Sequence, residues 1–110
     1  MEITRIDIRP LSVNAGYKGR RFKTTEHKQW ARSVMFLLPK IILPPPPYEI
    51  YFKFGFSSNS SDYDNAIKHT QDCIATRYRF NDKLIRRAVI DIDIVPKGKE
   101  YIEFSLKTKT

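Results

Sequence analysis

The chain has 110 residues, which fits a single domain over 1–110 with one modest core, and its 41% hydrophobic and 13% aromatic content is that of a folded protein. Twenty Lys and Arg against twelve Asp and Glu leave a net charge of +8, which points to a polyanionic partner and above all to nucleic acid. A single cysteine, Cys73, excludes an intrachain disulfide, and with only two histidines, His27 and His69, a zinc centre is not expected.

The charge is unevenly spread. Residues 1–40 carry nine basic and three acidic side chains, or +6, whereas residues 41–110 carry eleven and nine, or +2. The N-terminal third is therefore the expected phosphate-contacting part. The first ten residues are charged throughout, unlike a signal peptide, and the apolar run VMFLLPKIIL is too short and too interrupted to span a bilayer. These features read as an intracellular protein with no membrane partner.

In chain order, alternation over residues 2–8 predicts a short strand that ends at Pro10. Residues 10–23, with two glycines and a basic cluster, read as a surface loop. Thr24 or Thr25 can cap a helix over about 25–38, with Glu26 in its first turn and Trp30, Val34, Leu37 and Leu38 on one apolar face. Trp30 reads as core. Pro39 ends the helix, and the run Pro44 to Pro47 favours an extended connector. Residues 48–56 alternate strongly, with Tyr48, Ile50, Phe52, Phe54 and Phe56 on one side. A second helix is expected from near Asn65 to Tyr78, with Ile67, Thr70, Ile74 and Tyr78 inward and Lys68 and Asp72 an i, i+4 pair elsewhere. A strand over 87–95 follows, with Ile90, Ile92 and Ile94 on the inner side. After a turn at 96–99, residues 101–106 read as its partner strand. The expected fold is α+β: a small mixed sheet in the order β-α-β-α-β-β with two helices packed on it.

No glycine-rich phosphate loop is present, and Cys73 has no evident catalytic histidine, so the acids are the remaining candidates for chemistry. Asp62 and Asp64 lie between a strand and a helix, where both carboxylates can turn to one point. Mg²⁺ takes one or two carboxylates and keeps several waters, and a cation relieves the repulsion between clustered acids. A metal so held activates water and stabilises charge on a phosphate, with Lys68 a turn away to assist. Plain helix capping and a solvated Lys68–Asp72 pair explain the same residues. The rival pair Asp91 and Asp93 sits mid-strand among isoleucines and reads as the polar side of an amphipathic strand.

The pattern Asp62-x-Asp64-Asn65-x-x-Lys68-x-x-x-Asp72, followed by Asn81-Asp82, resembles that of the RusA family of Holliday junction resolvases. Pro10-Leu11-Ser12-Val13-Asn14 is similar to the P-x-S-x-N stretch of that family, and the basic loop and the Trp30 helix follow in the same order. The resemblance covers nearly the whole chain. It implies a Mg²⁺-dependent homodimeric endonuclease that cuts four-way DNA junctions. By position it makes Asp62, Asp64 and Asp82 the metal-binding carboxylates and Lys68 the catalytic lysine, with Asp72 and Asn65 in support. Asn14, Lys18, Arg20, Arg21 and Lys23 become the DNA-contacting candidates. Asn81-Asp82-Lys83 departs from the family's Asp-Asp pair. A nuclease for other branched or flapped DNA, or a non-catalytic junction-binding module, are the alternatives.

Overall fold

A computed structural model describes residues 2–11, 25–59 and 63–110, together with the backbone of 17–18 and 22–23. Strand β1 (Thr4–Ile6) leads to a small antiparallel pair, β2 (Tyr17–Lys18) and β3 (Phe22–Lys23). Helix α1 (Thr25–Leu37), strand β4 (Tyr48–Phe56) and helix α2 (Tyr63–Tyr78) follow. A 3-10 turn (Asp82–Leu84) then opens β5 (Ile85–Ile94), and β6 (Tyr101–Thr108) closes the chain.

The main sheet is mixed, in the order β1-β6-β4-β5. β4 runs parallel to β5, with α2 as the crossover between them, and antiparallel to β6, which pairs in turn with β1. The expected α+β class is therefore found, and the element order holds apart from an added strand pair before the first helix. Two expectations are corrected. The stretch 10–23 was expected as a loop throughout, yet it holds the β2–β3 pair. Strands of two residues are too short for an alternation of apolar residues to register. The second correction concerns β6, expected beside β5. Residues 95–100 instead carry the chain past the end of β4, and β6 enters between β4 and β1. A short connection suggested a hairpin, but β4 is the most apolar strand and is stabilised most when flanked on both sides.

The even-numbered side chains of β4 and β6 make the sheet's contribution to the core. Ile50, Phe52, Phe54 and Ile102 are fully buried and join one cluster with Trp30 and Val34 of α1 and with Ala66 and Ile74 of α2. Trp30 is core as expected, and its indole Nε1 donates to the Arg9 carbonyl at 2.7 Å. Leu37, expected on the same face, is exposed, while Leu38 beyond the helix end is buried. The proline connector is tied to the end of β6: Thr108 Oγ1 donates to the Pro45 carbonyl at 2.6 Å and the Lys109 amide to the Pro47 carbonyl at 2.8 Å. No helix among the described residues is long and apolar enough to cross a membrane.

Candidate active site

Helix α2 begins just past the C-terminal end of β4, two residues earlier than expected, so Asp64 lies inside its first turn. A carboxylate there suits the positive end of the helix dipole. The buried residues Ala66, Thr70 and Ile74 recur every four positions and face the sheet. Asp64, Lys68 and Asp72 recur at the same interval, displaced by half a turn, and so share the opposite face. Asp64 and Lys68 are exposed and Asp72 is half-buried. Lys68 Nζ lies 3.8 Å from Asp72 Oδ2, with both side chains largely in solvent at 57% and 42% exposure. Such a pair is worth well under about 1 kcal/mol, so little holds Lys68 back from another anion.

The N-terminal half of α2 is pinned by a feature that spacing did not reveal. His69, next to Lys68, is fully buried and meets His27 of α1, with Nδ1 and Nε2 3.2 Å apart. One ring donates to the other, which requires at least one neutral imidazole. Trp30 lies at the edge of both rings. The two histidines thus fix the end of α2 that carries Asp64 and Lys68 against α1. The sequence signal was present but faint: a polar residue recurring with the apolar face of each helix.

Asp82 is placed elsewhere. It opens the 3-10 turn beyond the far end of α2. With a rise of about 1.5 Å per residue, the helix puts Asp64 and Asp82 on the order of 20 Å apart. One chain does not bring them together, and among the described residues no three His, Cys, Asp or Glu side chains form a group able to hold a metal ion. Asn81 caps this turn, its Oδ1 accepting from the Lys83 amide at 2.9 Å, which gives the departure from the Asp-Asp pattern a structural role. Asp62, Asn14, Arg20 and Arg21 lie outside the described residues, as do the side chains of Lys18 and Lys23.

The rival acids are accounted for by local contacts. Asp91 Oδ1 accepts from the Ile92 amide at 3.0 Å, and Asp93 Oδ2 accepts from the Tyr101 hydroxyl at 3.0 Å. A groove of about 640 Å³ lies away from Asp64, beside β6, lined by Ile41, Ile42, Pro44 and Leu106 among others. On α1, Lys28 and Arg32 stand one turn apart on the exposed side and add to the basic N-terminal third.

Compared with protein-family models and with curated proteins, the chain matches none.

For Mg²⁺, the donor chemistry of the α2 end fits: carboxylate oxygens open to water are its preferred ligands, and one or two suffice.

Proposed function

We propose that the chain is a Mg²⁺-dependent endonuclease for branched DNA, acting on four-way junctions as a homodimer. The observation that carries this reading is the row of Asp64, Lys68 and Asp72 along the outer face of α2, exposed at Asp64 and Lys68, in a chain of net charge +8. The excess positive charge of the first forty residues, with Lys18, Arg20, Arg21 and Lys23 at its centre, draws the phosphate backbone in, and Asn14 adds a neutral hydrogen-bonding group. Asp64, with Asp62 before it, holds the cation. A Mg²⁺ held there would polarise a bound water and would offset charge on the phosphate. Lys68 turns from Asp72 to a non-bridging phosphate oxygen and keeps the phosphodiester oriented for in-line attack. Asp72 is a weak resting partner for Lys68 between turnovers, and Asn65 supports the turn.

Asp82 is the reason for preferring a dimer at the level of the site itself. At about 20 Å from Asp64 in its own chain it cannot share a cation with it. A two-fold related copy can present its own Asp82 at the Asp64 end. Two such sites, related by symmetry, match a four-way junction that must be cut twice.

The test is cleavage of a panel of equal-length substrates, namely a four-way junction, a flap and a plain duplex, with Mg²⁺ or EDTA. Paired, Mg²⁺-dependent cuts in the junction are expected, with Asp64→Asn binding the junction as well as wild type and cutting it at least about 100-fold more slowly. Preferential cutting of the flap moves the substrate assignment to other branched DNA. Binding without cutting by wild type contradicts the nuclease reading and leaves a junction-binding module.

A further inference from the structure

The ten residues of β5 form one edge of the main sheet, and their outer side pairs with no strand among the described residues. Sheet edges are ordinarily blunted by proline, by charged side chains of one sign, above all lysine, or by a covering segment. β5 contains neither proline nor lysine, its charges Arg86, Arg87, Asp91 and Asp93 are of both signs, and Val89, Ile92 and Ile94 stand 39%, 40% and 54% exposed along it. No described strand takes up the outer backbone groups. The Val95 amide donates inward to the Phe56 carbonyl, so alternation turns the amides of Ala88, Ile90, Ile92 and Ile94 outward. Among the described residues the Ile92 amide is met by the carboxylate of its own neighbour Asp91.

The face of the sheet away from the helices carries two rows of alternating charge. In the first, strand register aligns Arg5 of β1, Glu103 of β6, Lys53 of β4 and Asp91 of β5. In the second it aligns Lys107, Glu49 and Arg87, with Lys107 Nζ 3.2 Å and Arg87 Nε 3.5 Å from the Glu49 carboxylate. At the open edge one row therefore ends negative and the other positive, two register steps either side of Val89.

We propose that a second copy of this chain docks on this edge, the two β5 strands running antiparallel with Val89 on the two-fold axis. Asp91 then lies opposite Arg87 of the second copy, and Arg87 opposite its Asp91. The first row continues across the interface with unbroken alternation: Arg5, Glu103, Lys53, Asp91, then Arg87, Glu49 and Lys107 of the second copy. Because the outward amides belong to even-numbered residues, in-phase pairing needs even opposite even, which places the axis on a residue. An axis on Ile90 sets Asp91 against Val89 and asks Arg87 to take Asp93, already engaged by Tyr101. An axis on Asp91 sets like charges together, a destabilising pair. In the Val89 register a carbonyl of the second copy replaces the Asp91 carboxylate at the Ile92 amide. That carboxylate is released to Arg87 of the second copy. Ala88 and Ile90 become cross-strand neighbours on the helix side, where the exposed isoleucine stripe loses water contact. The inference rests on the homodimer reading above and names the surface that makes it.

The direct test is a Val89→Cys variant. Across the axis the two residues form a non-hydrogen-bonded pair with Cα atoms about 4.5 Å apart, within disulfide reach. Mild oxidation is expected to convert it to a covalent dimer, while an Ile3→Cys control beside β1, at a more exposed position, stays monomeric on a non-reducing gel. Cys73 is buried and does not compete. Absence of the Val89→Cys cross-link, or equal cross-linking of the control, overturns the proposal. A charge swap checks the register by sedimentation, with far-UV circular dichroism confirming the fold. Arg87→Asp is expected to weaken the dimer at least about tenfold, and adding Asp91→Arg to restore it. Dimerisation indifferent to Arg87→Asp, or unrescued in the double variant, contradicts the Val89 register. These readouts measure mass and not cutting, so a cross-linked dimer that cuts no DNA overturns only the nuclease reading.

Discussion

Gly55 sits under the ring of Tyr101, its partner across the β4–β6 register, and a Cβ at Gly55 meets the Tyr101 ring carbons well inside van der Waals contact. The ring is held from both sides, with the Arg5 guanidinium 4.1 Å above its centroid and the hydroxyl donating to Asp93. Gly55→Ala is therefore expected to destabilise the fold by roughly 1–3 kcal/mol in denaturant titrations, without altering the helix face. Burial, and then the hydrogen bond to Asp93, push the Tyr101 hydroxyl up from its usual 10 to about 12. A folded-state pKa above the unfolded one favours the protonated, folded form. This contribution is complete below pH 10 and is lost as the pH rises from 10 to 12. Thermal unfolding across that window is expected to show a fall in stability that is smaller in Tyr101→Phe. Near the proposed site, His27 and His69 are the residues whose loss is felt beyond their own contact. His27→Ala leaves the buried ring of His69 without this partner and is expected to cost about 1–3 kcal/mol. It should also slow junction cleavage, because the α2 end loses its brace.

Among the elements, those with long uniform alternation were legible in the sequence. Nine residues of β4 alternate and the strand appears over just those residues, whereas β5, expected over 87–95 from its alternating second half, begins two residues earlier and ends at Ile94. Which strand neighbours which was not legible. Ile90, Ile92 and Ile94 read as core because they are apolar and in phase with Phe52, Phe54 and Phe56, and they do share that face. Periodicity fixes the face but not the position in the sheet, and an edge strand leaves Ile92 and Ile94 exposed where a central one buries them. The acid cluster was legible only in part, since spacing tells that Asp64, Lys68 and Asp72 share one side of a helix. It does not tell that the same helix holds Asp82 away from them. The far end of α2 carries its own cost. Arg79 follows it with φ of 58°, and the Phe80 amide closes back on the Ala75 carbonyl at 3.1 Å. Left-handed backbone with a Cβ costs about 1 kcal/mol or more, and glycine removes most of that. Arg79→Gly is expected to raise the denaturation midpoint with unchanged slope, a gain of up to about 1 kcal/mol.

At the scale of the whole molecule, charge is divided by role. The first forty residues hold most of the positive excess, while the acids proposed for metal binding lie after β4 and beyond α2. Affinity for a polyanion and chemistry upon it are thereby assigned to different parts of one small chain. The separation of Asp64 from Asp82 then ties chemistry to assembly. In the antiparallel β5 arrangement, the start of one strand lies beside the end of the other, which is where β4 hands over to α2. In that proposed dimer Asp82 of the second copy would be carried to the Asp64 end, and the single chain would become half of each site. Binding is expected to fall steeply with salt for wild type and for Asp64→Asn alike, since phosphate contacts are left in place. The most direct measurement mixes two variants, Asp64→Asn and Asp82→Asn, each assayed alone and together on a four-way junction with Mg²⁺. Each alone has two damaged sites and is expected to be inert, whereas a mixed dimer has one intact site and is expected to nick the junction once. A mixture as inactive as its components, with wild type cutting normally, contradicts a shared site, and wild type that does not cut at all contradicts the nuclease.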